Sequence, residues 1–460
     1  MQNPENPFEA LLDHQQQFFS SGKTREYAFR REALKKLRTV IRNHEEELYQ
    51  ALYQDLHKSK FESYSTEIGF VLEELRLVLR NLKEWMRPEK VSSGLINFPA
   101  SSYVTQEPMG TVLIIAPWNY PFQLLIAPLI GALAAGNTVI LKPSEISEHT
   151  AQVMEKMINT HFEKKLVHVV NGGVEVSQQL LQLKVNHIFF TGSSYVGKIV
   201  MQAAAKNMVP VTLELGGKSP CIVDEKVNLK QAARRIMWGK LINAGQTCIA
   251  PDYLMVHEKV KQDLVKEMIR VTEQFYGKDP QQSSEYPRIV SDANVERLAT
   301  LLEGAKIAYG GQIDRSERYF SPTILDAVQF DLPVMQQEIF GPILPVITYS
   351  DINQAIQQIN TLPHPLALYV FSNRRSIVKK VVENIPAGGV TVNDTIMHIA
   401  NSKLPFGGVG NSGTGKYHGA YSFSVFSNAK PVMFRKRWLD VPLRYAPFKN
   451  KIRLVKNILR

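Results

Sequence analysis

From residue 6 to about residue 86, apolar side chains recur every three or four positions, as in FRREALKKLRTVI (29–41) and EIGFVLEELRLVLRNLKEW (67–85). Side chains at that spacing share one face of an α-helix, so the chain is predicted to open with amphipathic helices. SSYVTQE (101–107) alternates sides and reads as an extended segment, either an edge strand or one exchanged with a partner. Beyond residue 110 the pattern changes. Short, almost uninterrupted apolar runs appear at TVLIIA (111–116), TVILK (138–142), LVHVV (166–170), HIFF (187–190) and VTLEL (211–215), separated by 15 to 25 residues. Strands covered on both faces have this composition, and the intervals leave room for crossover helices, so a doubly wound parallel sheet is expected.

A second α/β region begins near CIVDE (221–225). Asn228 is placed to cap a helix whose apolar face is Leu229, Ala232, Ala233, Ile236, Met237 and Leu241, with Gly245 closing it and Cys248 on the loop beyond. GKDPQQSSEYPR (277–288) reads as a surface loop, and the chain holds no internal repeat.

Length and charge narrow the possibilities. A chain of 460 residues, 44% hydrophobic, has material for real cores and about three domain-sized units. LLIAPLIGALAA (124–135) carries Pro128 and Gly131 and is shorter than the roughly 20 residues a spanning helix needs, so no transmembrane helix is expected. The amino terminus lacks the pattern of a secretory signal. Cys221 and Cys248 give neither a disulfide framework nor zinc-ligand spacing, so no metal is expected and a reducing, cytoplasmic setting fits. The net charge of +11 is uneven: residues 435–460 hold nine Lys/Arg against Asp440 alone, which leaves +3 for the rest. A basic body built to bind nucleic acid is therefore not expected.

Several short motifs carry candidate chemistry. In FFTGSSYVGK, Gly192 and Gly197 lie between a predicted strand and a predicted helix, where backbone N–H groups and the helix dipole can receive a phosphate. The same stretch approaches a P-loop, but Ile199 stands where that motif needs a hydroxyl for Mg²⁺, which disfavours a nucleotide hydrolase. PWNYP (117–121) follows a strand at the carboxyl end of the sheet; Asn119 is there either as an amide donor to an oxyanion or as a turn residue. Lys142 and Glu145, in LKPSE, either hold ribose hydroxyls or are a solvated lysine and a helix-opening glutamate. Glu214 lies in an apolar strand before two glycines. Desolvation would raise its pKa toward that of a general base, unless a lysine or arginine pairs with it. Cys221, in PCIVD, reads as a core thiol. Cys248 has loop-forming neighbours and is a candidate nucleophile. EIFGP (338–342) reads as a turn, and His398 and His418 have no partner at metal-ligand spacing and read as structural.

Taken in order, PWNYP, KPSE, FTGSSYVG, ELGGKSP, GQTC, EIFGP and PFGGVGNSG resemble the aldehyde dehydrogenase superfamily from about residue 20 to 435. NAGQTCIAPDY, LPFGGVGNSGTGKYHG and the short amino terminus resemble its class 3 and fatty-aldehyde branch in particular. The resemblance implies an α/β fold with a variant Rossmann dinucleotide-binding domain (1–89 and 107–214), an α/β catalytic domain (215–419) and a small β oligomerisation element (90–106 and 420–435). It further implies NAD(P)-dependent oxidation of an aldehyde to the acid through a thiohemiacetal and a thioester. Cys248 would be the nucleophile, Glu214 the base, and Asn119 the oxyanion donor beside the backbone N–H of Cys248. Lys142, Glu145, Ser193 and the Gly192/Gly197 turn match positions facing the adenosine and pyrophosphate; Glu338 and Phe340 match those near the nicotinamide ribose and ring. Both NAD and NADP stay open, because Glu145 can bind a ribose 2′-hydroxyl or swing away from a phosphate.

A homodimer is expected, and an apolar aldehyde, whether medium- or long-chain, aromatic or polyene. Some fatty-aldehyde relatives end in a hydrophobic anchor. This chain ends instead in a basic tail (436–460). A helix over 448–460 would gather Phe448, Ile452, Val455 and Leu459 on one side, with Lys449, Arg453, Lys456 and Arg460 mostly opposite. Two uses fit: lying on an anionic membrane surface, or packing on the partner subunit.

Overall fold

The structure is a computed structural model that describes residues 6–448 and 451–458. The opening amphipathic stretch forms helices Glu9–Ser20, Tyr27–Asn43, Glu45–Leu56, Lys60–Ser63 and Gly69–Trp85. Tyr64–Ile68 between the last two is a π turn. Gly69 follows it for a steric reason: a Cβ there would lie 2.9 Å from the Tyr64 carbonyl oxygen. Such turns are rare and recur at functional sites.

The apolar runs beyond residue 110 become one six-stranded sheet, ordered Gly413–Thr414, Val211–Leu215, His187–Gly192, Thr111–Ile115, Thr138–Lys142, Val167–Val169. All its pairings are parallel except that of Gly413–Thr414 with Val211–Leu215. Chain order runs outward from the 111–115 strand in both directions, so the switch point lies between the carboxyl ends of the 111–115 and 187–192 strands. Ligands of such sheets collect in that crevice. Beneath the sheet lies Gln123–Ala135, every residue of it buried; the most apolar run in the chain is thus a core helix. Among the described residues no helix is long and apolar enough to cross a membrane.

A second, seven-stranded sheet is ordered Lys306–Tyr309, Thr323–Asp326, Ile343–Tyr349, Tyr253–His257, Pro220–Val223, Ala367–Phe371, Gly389–Val392 and is parallel but for its first pair. Glu89–Val91, Ala100–Pro108 and Ser427–Arg435 form a separate antiparallel sheet in which the last two strands pair along their whole lengths. The helix Leu229–Leu241 is capped by Asn228, whose side chain accepts from the Gln231 N–H at 3.1 Å. It ends at Leu241 rather than at Gly245, because Asn243, Ala244 and Gly245 all take positive φ (51°, 50° and 75°). In the basic tail the helix is Ile452–Ile458; the expected positions Lys449, Leu459 and Arg460 lie outside the described residues.

Candidate active site

The left-handed run Asn243–Gly245 ends the helix abruptly and turns the chain so that Thr247 and Cys248 lie at the wall of a cavity of about 480 Å³. A side chain in that conformation is strained by roughly 1–2 kcal/mol, so the turn persists only because its surroundings hold it. They do so with side chains from far away. Glu62 accepts from the Asn243 N–H at 2.6 Å, and the Asn243 side chain donates to the Asn119 carbonyl at 2.8 Å. The Gln246 side chain donates to the Asn243 and Arg288 carbonyls, both at 3.0 Å, and accepts from the Val290 N–H at 3.0 Å.

The 117–123 loop is held by the same helical segment. Lys58 and Glu67, both fully buried, pair at 2.6 Å. Lys58 also donates to the Asn119 carbonyl at 3.0 Å, while the other Glu67 oxygen accepts from the N–H groups of Phe122 and Gln123 at 3.0 and 3.2 Å. The π turn supplies Glu67, so it connects the fold to the site. Burial pushes the Glu62 carboxyl up to about 7, against the pull of Lys58.

Cys248 and Glu214 both line the cavity. Glu214 is 3% exposed at the end of the 211–215 strand, and neither carboxylate oxygen has a hydrogen-bond partner. Burial holds its pKa well above the ordinary carboxylate value, with Lys416 opposing the shift. Cys248 is half-buried, and its thiol is pushed up by burial first and then by the charges of Glu338 and Glu214. The resting thiol is therefore neutral. The Asn119 amide donates to the Gln246 carbonyl at 3.0 Å, two residues before Cys248. Its neighbour Tyr120 is on the wall and meets the Thr247 hydroxyl at 2.6 Å.

The residues matched to the cofactor gather at strand ends. Lys142, 1% exposed, closes the 138–142 strand and reaches the Pro143 carbonyl at 2.7 Å and Glu145 at 3.1 Å. Ser193 accepts from the Val196 N–H at 3.3 Å and caps the helix Ser194–Ala205, which starts at the switch-point crevice. A Cβ on Gly192 would meet the Phe190 ring at 2.6 Å, and one on Gly197 would meet Leu215 at 2.7 Å. The first glycine leaves room for the Phe190 ring, and the second lets the helix pack on the strand.

Glu338 and Phe340 arrive from the second sheet's side. Lys218 pairs with Asp252 and donates to the Val334 and Gln337 carbonyls at 2.9 Å, and Asp252 accepts from the Ile339 N–H at 2.9 Å, so this loop is pinned. Phe340 meets Trp118 edge to face at 5.3 Å. Glu338 has its Oε1 sealed from solvent without a partner, and burial followed by Asp252 raises its pKa to about 8. An orphaned carboxylate oxygen suits ribose hydroxyls, and a capped helix start at the switch-point crevice suits a pyrophosphate, so these residues fit a dinucleotide.

The chain matches the aldehyde dehydrogenase family model over residues 5–432. It belongs to the aldehyde dehydrogenase family. It is 49% identical to the 4,4′-diaponeurosporen-aldehyde dehydrogenase of Staphylococcus aureus over 95% of this chain and 96% of that one. It is 44% identical to the dimeric NADP-preferring aldehyde dehydrogenase of Canis lupus familiaris over 93% and 95%. A solved structure of the substrate-bound state of S. aureus AldH covers 98% of this chain and 99% of its own, at 47% identity and a TM-score of 0.97. This aldehyde dehydrogenase is an NAD(P)-dependent, class 3-like enzyme that oxidises aldehydes to acids.

The remaining motif residues have other surroundings. Ile199 is 41% exposed on the 194–205 helix, and Cys221 is wholly buried in the core. His418 is buried with both ring nitrogens unpartnered and is pushed down to about 3 by burial; His398 bonds Thr391 at 2.9 Å and is pushed down to about 4, by burial and then Lys416. No metal-binding cluster occurs among the described residues. The sequence reading missed Lys58, Glu62, Glu67 and Gln246. Their positions in KSKFESYSTE and AGQT look like a solvated helix face and a polar loop, and no local signal separates them from either.

Proposed function

We propose that Cys248 is the nucleophile of this dehydrogenase and Glu214 its general base, acting on apolar aldehydes. The carrying observation is that the two share one cavity wall and that neither oxygen of Glu214 is committed to another group. The Cys248 thiol gives its proton to solvent water and its sulfur adds to the aldehyde carbon, giving a thiohemiacetal whose oxyanion needs donors. The backbone N–H of Cys248 is one. Asn119 is the other, its amide being held beside the loop by its bond to the Gln246 carbonyl. Lys142, Glu145, Ser193 and the Gly192/Gly197 turn would hold the adenosine and pyrophosphate, and Glu338 and Phe340 the nicotinamide end; bound there, NAD(P) supplies the hydride acceptor. The thioester left on Cys248 is hydrolysed by water that gives its proton to Glu214.

Much of the cavity wall is apolar, with Leu124, Trp238, Ile242, Met397 and Ile399 among its residues. Each methylene buried against such a wall contributes about 0.8 kcal/mol, close to a fourfold gain. The S. aureus relative is named a 4,4′-diaponeurosporen-aldehyde dehydrogenase, which supports the same reading. A series of aldehydes of graded length should then give KM falling about fourfold per methylene, followed in the absorbance of the reduced cofactor with NAD and with NADP. Cys248→Ala should abolish the signal; turnover at undiminished speed would overturn the assignment.

We infer that residues 1–89 and 107–214 bind the dinucleotide, that 215–419 form the catalytic part, and that 90–106 with 420–435 join two copies. The unpaired edge of the 427–435 strand among the described residues supports the dimer, as does the relative named dimeric. For the tail, exposed Trp438, Phe448, Ile452 and Leu454 alongside Arg453 and Lys456 support contact with an anionic membrane surface. Sedimentation with anionic vesicles tests it: a chain ending at 434 should lose binding, and unchanged binding removes the idea.

A further inference from the structure

One corner of the cavity is unlike the rest. Gln123 Nε2, the Thr191 hydroxyl, both Glu214 oxygens and the Tyr417 hydroxyl are sealed from bulk solvent, and none bonds another protein group. All four residues line the cavity, at 4%, 8%, 3% and 0% exposure. Buried polar atoms are costly to leave unpaired, and several together mark a place where the fold keeps its donors and acceptors free for something else.

The fold brings them together from four places. Thr191 and Glu214 are register neighbours on adjacent parallel strands. Gln123 begins the buried 123–135 helix, with its backbone N–H held by Glu67 at 3.2 Å. Tyr417 is set by its bridge to Phe406 and by its edge-to-face contact with Phe189 at 5.1 Å. The Gln123 side chain lies beside the Tyr417 hydroxyl. Burial, then the adjacent Glu214 and Cys248, push the Tyr417 hydroxyl well above the ordinary tyrosine range, so it stays a neutral donor.

The chemical complement of this corner is specific. It offers an amide donor, two hydroxyls able to donate or accept, and a carboxylate that accepts. An aldehyde oxygen could use only the donors. A water molecule uses both kinds, and two to four polar partners are what an enclosed water requires. Resting on the assignment of Cys248 and Glu214 above, we propose that Gln123 and Tyr417, with Thr191, hold the water that releases the acid from Cys248. In that step the water oxygen bonds to the thioester carbonyl carbon and one of its protons passes to Glu214. The carbon–sulfur bond then breaks, the acid departs, and the sulfur keeps the electron pair until it is reprotonated. Gln123 and Tyr417 are positioning residues: they aim the water's lone pair and keep its proton turned to Glu214.

Tyr417→Phe and Gln123→Met test this in the full-length enzyme. The Tyr417 hydroxyl has no aligned protein partner and the ring is kept, so Tyr417→Phe should melt within a few degrees of the parent. The first turnover, read as a burst of reduced cofactor, should keep its rate, while steady-state turnover falls roughly tenfold or more. Acid-quenched protein should then carry one acyl group by intact mass, and hydroxylamine, which attacks thioesters unaided, should restore turnover. A burst that slows together with the steady state, or turnover that is unchanged, overturns the proposal: the corner would serve the aldehyde oxygen or nothing. If Gln123→Met fails to fold, Tyr417→Phe alone decides, since its ring is retained. Glu214→Gln separates this idea from the one beneath it. Acyl-enzyme in Glu214→Gln but not in the other two leaves the base assignment standing and removes the water-holding role. Its absence from all three overturns both.

Discussion

Replacing Glu214 by Gln should slow the enzyme and stabilise it, two effects with one cause. Glu214 is 3% exposed, neither oxygen has a partner, and only Lys416 offsets the burial. A glutamine keeps the shape but cannot take a proton. The loss of a general base is worth about 10²–10⁴ in rate, or roughly 3–5 kcal/mol of barrier. Stopped-flow absorbance should show a first turnover at parental rate followed by a steady state lower by that factor. Stability should move the other way. Because burial raises the pKa of Glu214, the folded protein binds the proton more tightly than the unfolded chain does. The stabilisation is full below the unfolded value of about 4.3 and is lost as pH rises through the folded pKa. Glu214→Gln does not ionise, so it should melt above the parent at about pH 8, and the gap should close towards about pH 5. An unsatisfied buried polar group costs about 1–3 kcal/mol, more when charged, which is ample for calorimetry to resolve. Steady-state turnover within tenfold of the parent, or a gap that widens on acidification, would refute the reasoning.

Lys58→Met should destabilise the fold by about 3–5 kcal/mol in chemical denaturation, since it strands the fully buried Glu67. Adding Glu67→Leu should recover only part of that, because Phe122 and Gln123 then lose their acceptor. Ala244→Gly, at φ 50°, should raise stability by about 1 kcal/mol with KM unchanged; a lower melting midpoint would mean the turn is unstrained. Glu338→Gln should raise the cofactor KM roughly tenfold and leave the aldehyde KM alone, as checked by varying each substrate in turn. A change in the aldehyde KM alone would place Glu338 elsewhere in the reaction.

Local pattern carried far along this chain. The runs at 111–116, 138–142, 166–170, 187–190 and 211–215 are strands because residues covered on both faces leave an uninterrupted apolar signature, and each of those runs holds a strand of the first sheet. Asn228 caps its helix as its type and place imply. Gly245 misled in one respect: it is the last of three left-handed residues rather than the end of a helix, and Asn243 and Ala244 give no hint of that conformation. Glu338 and Phe340 became candidates only through resemblance, since EIFGP alone reads as a turn.

The sequence by itself determined the strand-and-helix order, the placement of a cysteine on a loop and of a glutamate within an apolar strand, and the family. These depend on periodicity and on motifs a few residues long. Tertiary structure alone decided that Glu62 grips Asn243 across 181 positions, that Lys58 and Glu67 brace the Asn119 loop, and that Gln123, Thr191 and Tyr417 converge on Glu214. Burial and hydrogen-bond partners are properties of three-dimensional neighbours, so whether a glutamate is solvated, paired or left with both oxygens free is settled only when the distant parts of the chain close around it.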